Sequence, residues 1–142
     1  TNAGRVVYSG GGIDPDVFVP LDSTLLNPYF IRLNQHVPSF AFRYLDSNRS
    51  ALEKYSMEDF SSKFTVSDAI AADFLDFAVT RGEKRNERQW AKVMGKLKLA
   101  IKASIARHRW SDQGYHYVLN EADPFIKKAK QVVRQENPLS LK

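Results

Sequence analysis

Between Glu87 and Trp110 the residues Trp90, Val93, Met94, Leu97, Ala100, Ile101, Ser104 and Ile105 recur every three or four positions. That is the period of an α-helix with one buried stripe. A stripe of this length must be covered along its whole run, so the rest of the chain has to supply apolar faces that pack against it. Gly95 sits inside the pattern at a local cost of about 1 kcal/mol relative to Ala. Ser111-Asp112-Gln113-Gly114 is expected to end the helix, with a short helical turn at Tyr115–Leu119.

The chain before this segment reads as shorter helices with recognisable starts. Leu21–Leu26 is a connector. Asn27-Pro28 pairs an N-cap with a first helical residue; Tyr29, Phe30 and Leu33 then give one apolar side, ending near His36. Pro38 permits a new start, and Ala41, Tyr44, Leu45, Leu52 and Tyr55 hold helical spacing to about residue 54. Ser56-x-x-Asp59 is a capping box for a helix from Met57 to Lys63 that would bury Phe60 and Phe64. Ser67 is the next N-cap, followed by Ile70, Phe74, Phe77 and Ala78, and Gly82 is the expected left-handed stop. After the long helix, Asp123-Pro124 repeats the cap-plus-proline start. Phe125, Ile126, Ala129, Val132 and Val133 carry that last helix to about Gln135.

The N-terminus differs. Arg5–Tyr8 and Val17–Val19 are β-type runs around Gly10-Gly11-Gly12, with Pro15 and Pro20 fixing extended backbone. The expected local structure is strand, tight turn, strand. A phosphate cradle would need a helix after the glycines, usually with Lys and Ser/Thr. Here Asp14 and Asp16 follow instead, and both would repel phosphate. The fold class expected is mainly α, a bundle-like unit of about four to six helices over residues 21–142, with a short β-hairpin over residues 1–20.

A chain of 142 residues is one domain by prior and long enough for a proper core. It contains no cysteine, which excludes disulfides and thiolate metal sites. No apolar run approaches the ~18 residues of a membrane-spanning helix. The net charge of +5 is local. Residues 1–80 balance at −4, residues 81–110 at +8 and residues 111–142 at +1.

The stretch Gly4-Arg5-Val6-Val7-Tyr8-Ser9-Gly10-Gly11-Gly12-Ile13-Asp14-Pro15-Asp16 resembles the segment that closes the core of the carboxyl-terminal processing, or tail-specific, proteases. The family pattern there is G-R-x-V-Y-G-G-G-G-I-x-P-D followed by an apolar strand; Ser9 stands where the first glycine is expected. A second stretch, Ile105-Ala106-Arg107, Trp110, Gly114-Tyr115 and Val118-Leu119-Asn120-Glu121-Ala122-Asp123-Pro124, is similar to the tail of the Bacteroidetes-type members. The resemblance implies that residues 1–20 are the last strands of a protease core and residues 21–142 a helical appendage. It implies a parent serine-type endopeptidase of the periplasm or envelope, acting on protein or peptide substrates near their C-termini. An upstream PDZ module, Ser nucleophile, Lys base and targeting segment would lie ahead of Thr1.

No catalytic, cofactor-binding or metal-binding residue is assigned to this chain. It has no S-x-x-K and no G-x-S-x-G motif, so proteolysis by this piece alone is not expected. His36, His108 and His116 are too scattered for a metal motif, although His108 and His116 could meet across the turn after the long helix. Asp14 and Asp16 read as turn-stabilising carboxylates rather than an acid/base pair. The basic residues Arg85, Arg88, Lys92, Lys96, Lys98, Lys102, Arg107 and Arg109 form the competing functional feature. They suit phosphates or an acidic partner, yet they also suit a solvated face opposite a packed stripe, which is the preferred reading. Self-association through the edges of the N-terminal strands is a further expectation.

Overall fold

A computed structural model of the chain describes residues 17–20 and 26–134. Among them are seven helices: α1 (Pro28–Asn34), α2 (Val37–Ser47), α3 (Arg49–Leu52), α4 (Met57–Lys63), α5 (Asp68–Val79), α6 (Glu87–Ala122) and α7 (Pro124–Val133). The described residues contain no strand, so the fold is mainly α. The expected strand Arg5–Tyr8 and the glycine turn lie outside the described residues. Val17–Val19, the expected second strand, has a bend at Val17 and no ladder partner.

The helix starts follow from local chemistry. Asn27 Oδ1 accepts from the amides of Tyr29 and Phe30, and Asp123 Oδ1 from those of Phe125 and Ile126. Ser56 and Ser67 accept from the amides of Asp59 and Ile70. Each cap satisfies amides that have no partner inside the helix. Gly82 takes φ +97°, the left-handed turn expected after α5.

The seven helices exceed the four to six expected because one expected helix divides, and the long helix also departs from its expected course. The helix predicted to run from Pro38 through residue 54 breaks at Asn48 (φ −124°, ψ 21°), whose side chain donates to the Tyr44 carbonyl. Asn86 is an N-cap that the sequence reading missed; its side chain accepts from the Gln89 amide. The long helix does stop at Trp110–Ser111, where both residues leave helical geometry, but it resumes at once and runs to Ala122. The α6 unit therefore has two arms, residues 87–109 and 112–122, meeting at an elbow.

The first arm is the central element. The α6 unit as a whole packs most extensively on α2, then on α1 and α4. Val93, Leu97, Ile101 and Ile105 are fully buried on it, as the stripe requires. Facing them are rings from the other helices. Phe40 meets Phe74 and Phe77 edge-on at 5.3 and 5.5 Å between centroids. Phe60 stacks on Phe64 at 4.6 Å and touches Trp110 at 5.4 Å. Aromatic burial of this kind dominates core energetics in a domain of this size.

Candidate functional site

The elbow of α6 is where the sequence is most specifically used. Ser111 has φ 56° and ψ −154°, a combination that L-residues rarely adopt. The second arm then folds back on the first, so closely that a β-carbon on Gly114 would meet the Ala106 carbonyl oxygen at 2.7 Å. Arg107 ties the two arms together: its guanidinium pairs with Asp112 at 2.6 Å and lies 5.1 Å over the Tyr115 ring. Arg109 donates to the Leu52 and Glu53 main-chain oxygens at the end of α3, and stacks 4.2 Å over Trp110. The Leu52 carbonyl also accepts from the Tyr55 amide, so Arg109 is a second donor there, and a cation at this helix end meets the negative end of the dipole.

Most of the basic segment is engaged within the fold. Arg85 pairs with Asp76 and Lys98 with Asp68, both on α5. Lys102 donates to the Ser61 main-chain oxygen at 2.7 Å, in the last turn of α4. Burial pushes the Lys102 amine below the ordinary lysine value. Arg88 and Lys92 remain as exposed cations on the outer side of the first arm. The structure thus distributes the charge among α3, α4, α5 and the elbow rather than presenting it as one face.

Among the described residues Ser104 and Lys102 do not come together as a nucleophile and base. Ser104 is buried, but it is two positions from Lys102 on one helix, so the side chains diverge. The Lys102 bond goes to a main-chain oxygen, not to a hydroxyl. His36 precedes α2 without a side-chain capping bond and contacts Glu83 at 3.3 Å, beside Arg32 at 3.4 Å from the same carboxylate. His108 approaches the Pro38 carbonyl and the Phe42 ring, while His116 packs on Tyr115. Among the described residues no three acidic or histidine side chains are grouped to hold a metal. Asp14, Asp16 and the three glycines lie outside the described residues.

Among the described residues are two concavities of ligand-sized volume. One, about 690 Å³, lies between α2 and α5 and combines Phe40, Tyr44 and Phe77 with Arg43, Asp73 and Asp76. Burial, reinforced by Asp73, raises the Tyr44 phenol above its ordinary value. The other, about 530 Å³, is apolar and sits inside the elbow, with Phe30 and Leu99 on one side and Tyr115, Leu119 and Phe125 on the other. Among the described residues no buried side-chain nitrogen or oxygen lacks a hydrogen-bond partner.

Residues 29–112 match the model of DUF8443, a family of unknown function, and the chain belongs to that family. The match runs from α1 to the start of the second arm of α6 and leaves α7 beyond it. No curated protein and no solved structure matches the chain.

Proposed function

We propose that the chain is the non-catalytic C-terminal helical region of a serine-type carboxyl-terminal processing endopeptidase. It serves assembly, substrate gating or the docking of a partner beside the protease core. Residues 1–20 contribute the closing strands of that core, and the parent enzyme works in the periplasm or cell envelope on proteins near their C-termini.

The observation that carries this reading is the use of the second resembling stretch. Its residues are those that build the elbow: Ala106 and Gly114 at the close approach, Arg107 and Tyr115 across the arms, Trp110 at the break, Asp123-Pro124 at the start of α7. A tail pattern whose members have structural work at one corner is what an appended helical unit requires. The engagement of Arg85, Lys98, Lys102 and Arg109 inside the fold favours this over a nucleic-acid or acidic-partner module acting through residues 84–109.

The test is an incubation of the purified chain with an unfolded protein substrate. No cleavage above the blank is expected. Turnover abolished by a serine-directed inhibitor would overturn the assignment. A steep salt-dependent shift of DNA at low-micromolar chain would transfer support to the basic-module reading.

A further inference from the structure

The apolar side of α7 is only partly covered among the described residues: Ile126 and Val132 are half-buried and Phe125 borders the elbow concavity, while Ala129 and Val133 are exposed. None of its residues is buried, and Phe125 and Val133 are 48% and 76% exposed. At about 100° per residue, Val132, Phe125, Ala129, Val133 and Ile126 fall within one arc of roughly 120°. The remaining surface is Lys127, Lys128, Lys130, Gln131 and Arg134, with no carboxylate on the helix. Lys128 borders the arc on one edge and Lys130 on the other, while Lys127, Gln131 and Arg134 lie on the far side. Lys130 also contacts Glu121 at 3.5 Å across exposed surface.

This charge pattern selects the occupant. Two copies of α7 packed face to face would set cations against cations. A protein groove would need acids along both lips and an apolar floor between them. A flat anionic bilayer meets both requirements at once: the convex arc enters the headgroup boundary while the flanking lysines extend their amines to phosphates. The Asp123 cap and Pro124 hold the helix already formed, which reduces the ordering cost of docking.

We propose that α7 lies in the plane of an anionic lipid surface, with Phe125, Ala129 and Val133 inserted and Lys128 and Lys130 at the headgroups. This goes beyond the accessory-region reading and does not depend on it. No helix among the described residues is long and apolar enough to cross a membrane, so the contact is peripheral.

The test is flotation of the full chain with vesicles of phosphatidylcholine, alone or with phosphatidylglycerol, at ~50 mM salt, where surface charges are weakly screened. Binding to the anionic vesicles is expected. Affinity should fall at least about tenfold on zwitterionic vesicles, and for the variants Lys128→Glu/Lys130→Glu and Ala129→Asp/Val133→Asp. These four positions are exposed, and an unchanged thermal melt confirms folding of each variant. Arg88→Glu/Lys92→Glu on α6 should bind as the parent does. Absence of flotation with anionic vesicles overturns the proposal, as does undiminished binding by both α7 variants. Retention on polyglutamate without flotation also overturns it, in favour of an acidic protein partner.

Discussion

Gly114 lies against Ala106 across the elbow of α6: a β-carbon at 114 would stand 2.7 Å from the Ala106 carbonyl oxygen and 2.8 Å from the Trp110 β-carbon. One neighbour is main chain and the other is the root of a side chain, so neither yields without moving a helix. The Gly114→Ala variant gains about 1 kcal/mol of helix propensity but forces the arms apart, and a net loss of roughly 1–3 kcal/mol is expected. Gly95→Ala is the matched control. Nothing lies within 4 Å of its added carbon, so the propensity gain of up to about 1 kcal/mol should appear undiminished. Urea unfolding of the two variants should move the midpoint in opposite directions.

The same elbow holds Ser111 at φ 56°. A side chain in that region costs of order 1–3 kcal/mol, and glycine removes the cost while adding about 0.5–1 kcal/mol of unfolded-state freedom. Ser111→Gly is expected to stabilise the chain by about 0.5–2 kcal/mol. Ser111→Val should lower stability, because a β-branched side chain tolerates positive φ least.

Arg109 links the first arm of α6 to the end of α3 through the Leu52 and Glu53 carbonyls. Arg109→Met keeps most of the stem against Trp110 and removes the donors. A loss of about 1.5–3 kcal/mol is expected, the range for hydrogen bonds involving a charged group. Hydrogen exchange should show faster opening of residues 49–55 in the variant than in the parent.

Alkaline stability carries two opposing contributions. Burial raises Tyr29 and Tyr44 above 10.0, with Asp73 adding to the effect on Tyr44. The folded state therefore keeps these protons longer than the unfolded chain, and their contribution is intact below pH 10.0 and lost as pH rises above it. Lys102 is lowered from 10.5 by burial, so the folded state releases its proton earlier and stability rises with pH in the window ending at 10.5. Tyr29→Phe/Tyr44→Phe should flatten the fall in urea midpoint above pH 10, and Lys102→Met should remove the rise below it. Tyr29 also donates to the Lys84 carbonyl, so the slope with pH is the diagnostic and not the midpoint itself. An unchanged slope in the tyrosine variant would contradict the burial argument.

What the residues reveal without coordinates is mostly local. Asn27, Ser56, Ser67 and Asp123 announce helix starts because a cap bonds amides only two or three positions away. The α6 stripe was legible because periodicity alone places Val93, Leu97, Ile101 and Ile105 on one side. Asn48 was not, because the apolar spacing from Ala41 to Tyr55 continues across the break. Gly114 read as a helix stop, whereas it is helical and small for the sake of a residue in the other arm. The basic segment read as a possible binding face since its partners, Asp76, Asp68 and the carbonyls of Ser61 and Leu52, are remote in sequence.

The central claim is that these helices are an appendage of a Ser/Lys protease core. Determining the coding sequence upstream of Thr1 tests it most directly. The account predicts, in the same reading frame, a PDZ module followed by the serine and lysine motifs of the carboxyl-terminal processing proteases. A stop codon, or an in-frame domain with neither motif, would contradict it.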